Sequence, residues 1–229
     1  MKQNKVFVMA LGGSIICPEK INTRYLSRFY KLIKDYIKKG YYFIIVAGGG
    51  KIARDYQKAA SRIVNVSDED KDWLGIHATR LNAHLLRTVF RKEADPVVFD
   101  QRHKLKKFNN HSIIIASGWK PGWSTDFVAV QIAVDFKVKR VLILGKPKYV
   151  YTHNPEKHEI ARPIKKITWE DYLKRIPKRW KPGLHLPVDP VASRLAKEKN
   201  IEVIVASAKD LKNLTNILEG KSFKGTLIY

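Results

Sequence analysis

The sequence predicts an α/β fold: a three-layer αβα sandwich with a largely parallel central sheet. Three observations carry this. Apolar, β-branched runs alternate along the chain with amphipathic segments of helical period. Runs such as Val6-Phe7-Val8-Met9-Ala10-Leu11, Phe43-Ile44-Ile45-Val46 and Ile113-Ile114-Ile115 are apolar throughout, as in strands covered on both faces. A strand–helix–strand unit closes within the first fifty residues, and a right-handed crossover makes its strands parallel.

Each element has a local reason. Strand Val6–Leu11 ends in Gly12-Gly13-Ser14. Leu26, Phe29, Tyr30, Ile33 and Ile37 then recur at helical spacing, and Gly40 follows the basic pair Lys38-Lys39 as a stop. Strand Tyr42–Val46 runs into Gly48-Gly49-Gly50. Ile52, Tyr56 and Ala59 continue a helix up to a polar break at Asn65–Asp72. Ala78, Leu81, Leu85 and Val89 mark another helix from Leu74 to Phe90. Val97-Val98-Phe99 reads as a short strand, Gln101–His111 as a polar, basic connection and Ser112–Ala116 as a strand. A third glycine loop, Ser117–Asp126, precedes a helix to Phe136 with Ser124 or Thr125 as its cap. Strand Arg140–Leu144, irregular Gly145–Pro163, helix Trp169–Ile176 and loop Pro177–Pro187 follow. Asp189-Pro190 starts a helix with Pro at its first position. Strand Ile201–Ala206, helix Asp210–Leu218 and strand Thr226–Tyr229 complete the alternation, and residues 1–229 read as one domain.

Composition narrows the class. A chain of 229 residues suits one α/β domain, and 45% hydrophobic residues make it globular. Cys17 is the single cysteine, so no internal disulfide forms, which fits a reducing compartment; the expected address is the cytoplasm. No apolar run approaches the ~20 residues of a membrane span, and Val6–Leu11 is too short for a signal sequence. The net charge of +23 invites a nucleic-acid reading. Lys and Arg are nevertheless spread along the chain, densest at Lys137–Lys148 and Arg162–Lys181, with no RNA-binding, zinc-finger or helix-turn-helix signature. An anionic small substrate such as a nucleotide suits the charge, and nucleic acid is not expected as the main partner.

The chemistry points the same way. Three adjacent glycines between a buried strand and a helix mark a place where φ > 0 is needed or where something approaches the main chain. The free N–H groups and positive end of the following helix suit a phosphate, with Lys51 and Arg54 beside it. The pattern is neither GxGxxG nor a P-loop, and a merely flexible turn is the plainer alternative. Glycine-bearing strand ends at 12–14, 48–50 and 117–122 share the carboxyl edge of the predicted sheet, enough for two phosphorylated ligands or one polyphosphate. His77 and His84, seven apart on one helix, read as surface or core histidines, and no His, Cys or carboxylate pair has metal-ligand spacing.

Leu11-Gly12-Gly13-Ser14, Ala47–Arg54 and Gly75–Ala83 resemble the amino-acid kinase superfamily, specifically the archaeal-type uridylate kinases. Pro121–Asp126, Val150–Pro155, Asp189-Pro190 and Lys224-Gly225-Thr226 fall in register with that family, so the resemblance spans nearly the whole chain. It implies an amino-acid kinase fold, usually a homohexamer, that passes the γ-phosphoryl of ATP to UMP, with magnesium expected on ATP. The acceptor part would be residues 1 to about 136 and the donor part the remainder, with helix Leu26–Ile37 as a dimer surface. By position, Gly48, Gly49 and Arg54 would hold the UMP phosphate, and Asp72 the ribose. Thr125 and Asp126 would stand at the transferred phosphoryl, with Lys51 supplying positive charge. Gly12, Gly13 and Ser14 would cradle the ATP phosphates, and Tyr151 and Pro155 would border its adenine. Thr125, Asp126 and Asp189 also read as helix caps, and Asp72 as a solvated loop carboxylate.

The sequence departs from the family pattern at four places. Ala10 stands where most amino-acid kinases carry lysine. Gly145-Lys146-Pro147-Lys148-Tyr149 replaces a segment with an aspartate, so Lys148 is expected to meet the ATP phosphates and weaken the need for magnesium, the alternative being a charged surface loop that faces solvent. Trp119 replaces a small threonine near the base, as a stacking platform that loosens base selectivity or as a subunit contact. Pro182–Pro187 replaces a serine-rich loop. These departures leave a non-catalytic nucleotide or oxyanion binder on the same scaffold, like the molybdate storage proteins, as the competing reading.

Overall fold

The computed structural model describes residues 5–104, 107–108, 110–153, 155, 160–179 and 186–229. The amino-terminal part contains β1 (Val6–Leu11), α1 (Gly13–Ile16), α2 (Thr23–Lys38), β2 (Tyr42–Ala47), α3 (Gly50–Ile63), α4 (Asp68–Val89), β3 (Ile113–Ala116) and α5 (Thr125–Asp135). There follow β4 (Arg140–Gly145), β5 (Val150–Tyr151), β6 (Pro163–Ile164), β7 (Lys166–Ile167), α6 (Trp169–Arg175), α7 (Pro190–Glu198), β8 (Glu202–Ser207), α8 (Leu211–Leu218) and β9 (Thr226–Ile228). Seven strands form one sheet in the order β3-β2-β1-β4-β8-β9-β7. The first five are mutually parallel, while β9 runs antiparallel to β8. β5 and β6 pair separately as a small antiparallel ribbon.

Side-chain alternation along the strands divides the core in two. Val8, Ala10, Ile44, Val46, Ile114 and Val141 point to one face, where α5, α6 and α7 cover them with Val128, Ile132, Trp169 and Ala192. Met9, Leu11, Phe43, Ile45, Ile115 and Leu142 point to the other, beneath Leu26, Phe29 and Ile33 of α2, Leu86 of α4 and Leu214 of α8. The sandwich is thus built as expected, and all five parallel strands end at one edge.

Three expectations are corrected. Helix α2 lays its apolar face on the protein's own core, with Phe29 and Ile33 fully buried, so it has no apolar stripe left for a partner. The break at Asn65–Asp72 is shorter than expected. Ser67 caps α4 by accepting from Asp70 N, and Asp68, Glu69 and Asp70 suit the positive helix end, so Asp72 is helical rather than in a loop. Val97-Val98-Phe99 is no strand, since only Ala94 and Phe99 bridge singly to Ile113 and Ala116. Asp95 accepts from Val97 N, and Pro96 has no N–H, so the chain turns instead of pairing.

Candidate active site

The first two glycine turns lock into one another. Gly48 N donates to Leu11 O at 2.9 Å, Gly12 N to Leu144 O at 2.8 Å and Lys51 N to Cys17 O at 3.0 Å. A Cβ on Gly13 would lie 2.0 Å from Gly50 N, and one on Gly48 would lie 2.3 Å from Gly13 N. Gly50 also sits at φ +67°. Only glycine permits this approach of two main chains. The N–H groups of Gly13, Ser14, Gly49 and Gly50 meet no acceptor among the described residues. Donors without acceptors on two touching turns suit anionic oxygens.

Helix α4 acts as a rail for the turn after β2 and the loop after β3. Asn82, buried at 1% exposure, donates its amide to Gly48 O at 2.7 Å and to Gly49 O at 3.1 Å. A peptide's carbonyl and N–H point opposite ways. Holding both carbonyls therefore turns the N–H groups of Gly49 and Gly50 away from α4. One turn earlier, Thr79 Oγ1 accepts from Gly118 N at 2.8 Å while donating to Ile76 O. Seven residues before Thr79, Asp72 accepts from Gly122 N at 2.8 Å. One helix face thus grips the turn after β2 and both ends of the loop after β3. Burial raises the Asp72 carboxyl, the Gly122 N–H opposes this and Asp68 adds to it. Gly75 lets α3 approach, as a Cβ there would lie 3.1 Å from the Gln57 amide.

The two expected cations differ in availability. Lys51 is held by Asp55 at 2.7 Å and stands 3.6 Å from Glu19, on the outer side of α3. Its ammonium already has carboxylate partners, so a role at the transferred phosphoryl would need it to leave them. Arg54 is half-buried one turn into α3, with no hydrogen-bond or ion-pair partner among the described residues.

Two helix starts meet at the other side of the cleft. Ser124 caps α5 by accepting from Phe127 N at 3.0 Å, and its hydroxyl donates to Asp189. Asp189, 5% exposed, caps α7 by accepting from Val191 N at 2.7 Å and Ala192 N at 3.1 Å. Asp126 stands beside it. Burial first, then the Asp189 charge, push the Asp126 carboxyl well above the ordinary range. Burial likewise raises Asp189, against the donors that hold it. Tyr172 closes the floor, donating to Val188 O and accepting from Val188 N, both at 2.8 Å. Ser124 is the cap and Thr125 the first residue of α5, so of the two expected cap residues it is Ser124 that caps the helix.

Trp119 is not a base platform. It is 4% exposed, its indole N–H donates to Phe99 O at 3.2 Å, and it packs in the core beneath Trp123. An indole enclosed this way has no free face for stacking. Trp123 remains half-exposed, with Lys120 Nζ 4.1 Å from its ring centre and Phe127 beneath it. On the donor side Gly12, Gly13 and Ser14 lie at the interlocked turn. Tyr151 belongs to β5, its ring edge-on to Tyr149, and Pro155 is exposed. Lys146 and Lys148 are exposed and have no ion pair among the described residues. His77 and His84 are both exposed on the outer face of α4. No group of three His, Cys, Asp or Glu able to hold a metal occurs among the described residues. The loop expectation over Pro182–Pro187 falls mostly outside the described residues.

Sequence reasoning did not assign Asn82, Thr79 or the Ser124–Asp189 contact. The spacing 72, 79, 82 on a helix was a usable signal for the first two, since it puts those side chains on adjacent rows of one face.

A parallel sheet whose carboxyl edge joins glycine N–H groups, unpaired among the described residues, to the half-buried Asp126 and buried Asp189 defines an αβα protein built to hold phosphorylated ligands. Residues 5–207 match the amino acid kinase family, and the chain belongs to that family. It is 30% identical over 224 residues to the uridylate kinase of Pyrococcus abyssi, covering 96% of this chain and 98% of the relative. The Thermococcus gammatolerans uridylate kinase is 31% identical with the same coverage. The crystal structure of uridylate kinase from Archaeoglobus fulgidus matches with a TM-score of 0.80 and 25% identity, covering 98% of this chain and 100% of that one.

Proposed function

We propose that this protein is a UMP kinase that transfers the γ-phosphoryl of ATP to UMP. The observation that carries the reading is the pair of interlocked glycine turns. Four N–H groups lie on these touching turns with no acceptor among the described residues. Arg54 is half-buried one turn into α3 with no partner among the described residues, and two carboxyls, of Asp126 and Asp189, are raised. The relatives named above as uridylate kinases support the choice of acceptor. Phosphoryl transfer needs mainly positioning and neutralisation of charge. Gly49, Gly50 and Arg54 hold the acceptor phosphate, and Asp72 meets the ribose. Gly12, Gly13 and Ser14 hold the donor phosphates, and Tyr151, Pro155 and Lys148 border the ATP. Asp126 and Thr125 face the moving group, and Asp189 fixes that corner through Ser124. Magnesium arrives on the ATP phosphates, where it supplies charge neutralisation; no three-ligand cage awaits it among the described residues.

In this reading the chain is one cytoplasmic domain, with acceptor residues before about 136 and donor residues after. It assembles into a homohexamer. Tyr56 and Ile63 on α3, with Trp73 and Leu81 on α4, are exposed apolar side chains and offer a subunit contact that α2 does not. Self-repulsion at +23 per chain opposes assembly, so association should strengthen with salt; light scattering that finds only monomer at high salt removes the claim.

A coupled assay with ATP and each nucleoside monophosphate tests the activity. Turnover with UMP is expected. UMP and ATP binding without turnover would instead favour the oxyanion-binder reading, for which the engagement of Lys51 by Asp55 is the specific observation.

A further inference from the structure

A nucleotide cleft uses few cations, and much of the +23 surplus lies elsewhere. Because β1, β2, β4 and β8 are parallel, the residues leading into them gather at the edge opposite the cleft. Lys38 and Lys39 lead into β2, Lys5 into β1, and Lys137 and Lys139 into β4, and all five are exposed. Lys5 Nζ donates to Lys39 O at 2.8 Å, and Glu202 N at the start of β8 donates to Lys139 O at 2.9 Å, so these segments are adjacent. Three carboxylates of this region already have cations: Glu202 with Arg140, Glu219 with Lys221 and Asp135 with Arg102. None of the five lysines has a carboxylate within ion-pair distance among the described residues. Helix dipoles account for cations at the ends of α2 and α5, but not for Lys5 and Lys139 on strand starts. Aromatic rings are interleaved with the charges. Lys5 lies 5.4 Å from the Tyr41 ring centre and Lys39 4.8 Å from that of Tyr36, and exposed Tyr229 follows β9 at the same edge.

We propose that this edge is a second binding site, for the phosphate backbone of single-stranded RNA. Neighbouring strands are about 4.8 Å apart, so the row across β2, β1, β4 and β8 spans roughly 15 Å, room for several consecutive phosphates. Six-residue strands put it about 20 Å from the nucleotide cleft, so both sites fill together. Unpaired lysines bind by counterion release, independent of sequence, and the exposed ring of Tyr229 adds base stacking, which a lipid headgroup does not use. Tyr36 is buried and Tyr41 is stacked on Phe7, so those two rings only seat the lysines.

The probe is a 5′-hydroxyl oligoadenylate of about 20 nucleotides, which offers no terminal phosphate to the acceptor site. Fluorescence anisotropy over a salt series should give a slope of log K against log salt near −3.5, for about five contacts at roughly −0.7 each. Lys5→Glu/Lys139→Glu should weaken binding about tenfold or more while leaving UMP affinity unchanged. A charge-matched control on α3 and α8, Lys58→Glu/Lys212→Glu, should weaken it less than about threefold. Equal loss in the two double variants would mean diffuse charge and overturn the site. So would displacement of the oligonucleotide by UMP plus ATP, absence of binding at low salt, or binding of phosphatidylserine vesicles in place of RNA.

Discussion

Replacing Asn82 by alanine should separate recognition of a phosphate from recognition of a nucleoside. The Asn82 amide holds two carbonyls, Gly48 O at 2.7 Å and Gly49 O at 3.1 Å, and is 1% exposed. A buried acceptor left without its donor costs roughly 1–3 kcal/mol, and the Gly49 bond is only part-buried, so the pair costs about 2–4 kcal/mol. For a domain of this size each kcal/mol lowers Tm by roughly 2–4 °C, so Asn82→Ala should melt about 10 °C lower. The freed peptides can rotate, and the Gly49 and Gly50 N–H groups lose their aim. UMP affinity should then fall about tenfold or more, while uridine, which lacks the phosphate, stays within about twofold. Calorimetric titration with both ligands, below the melting point of the variant, reads this directly. Unchanged UMP affinity, or a parallel loss for uridine, would refute the assignment of Asn82 as the residue that aims the turn.

Other outcomes follow from the same geometry. Arg54→Ala should weaken UMP by about tenfold or more, the size of one charge-assisted hydrogen bond, and equal affinity in the two proteins would remove Arg54 from the phosphate site. Trp119→Phe should lower Tm through its lost bond to Phe99 O and leave the ratio of UMP to CMP affinity unchanged; a changed ratio would put the indole at the base after all. Asp126 and Asp189 have raised carboxyls, so the folded state binds their protons more tightly than the unfolded chain does. That stabilisation is complete below the ordinary carboxylate range and is lost as pH rises through the folded values. Asp126→Asn should therefore melt higher than the wild type near neutral pH, with the gap closing toward about pH 4; thermal melts that find the variant less stable at neutral pH contradict this. Lys148→Asp should lower ATP affinity measured without magnesium and increase dependence on the metal, and four identical ATP titrations would show that Lys148 takes no part.

The legible parts of the sequence were those where one physical cause acts locally. Runs such as Val6–Leu11 and Tyr42–Ala47 are apolar because both faces are covered, and the glycines that end them cannot be replaced where main chains touch. Arg54 is half-buried with no partner among the described residues, as a cation kept for a ligand would be, and its role stays a proposal. Lys51 is not so kept, because its charge is answered by Asp55 four residues on and by Glu19 from another segment. Trp119 misled for a related reason: tryptophan suits both a base and a core, and only the nearby Phe99 carbonyl decides between them. Helix α2 was read correctly as amphipathic, but periodicity gives a helix a buried face without saying which molecule buries it.

If the two glycine turns hold the two phosphates as proposed, their contact sets a fixed gauge for the reaction. In the proposed reading Gly13 serves the donor and Gly48 and Gly50 the acceptor, and the backbones of these residues touch. The distance between the two phosphates is then set by the thickness of two peptide planes and not by any hinge. Neither site can be widened to admit a larger group without moving the other. A side chain added at Gly13, Gly48 or Gly50, however small, strikes the opposite turn's main chain.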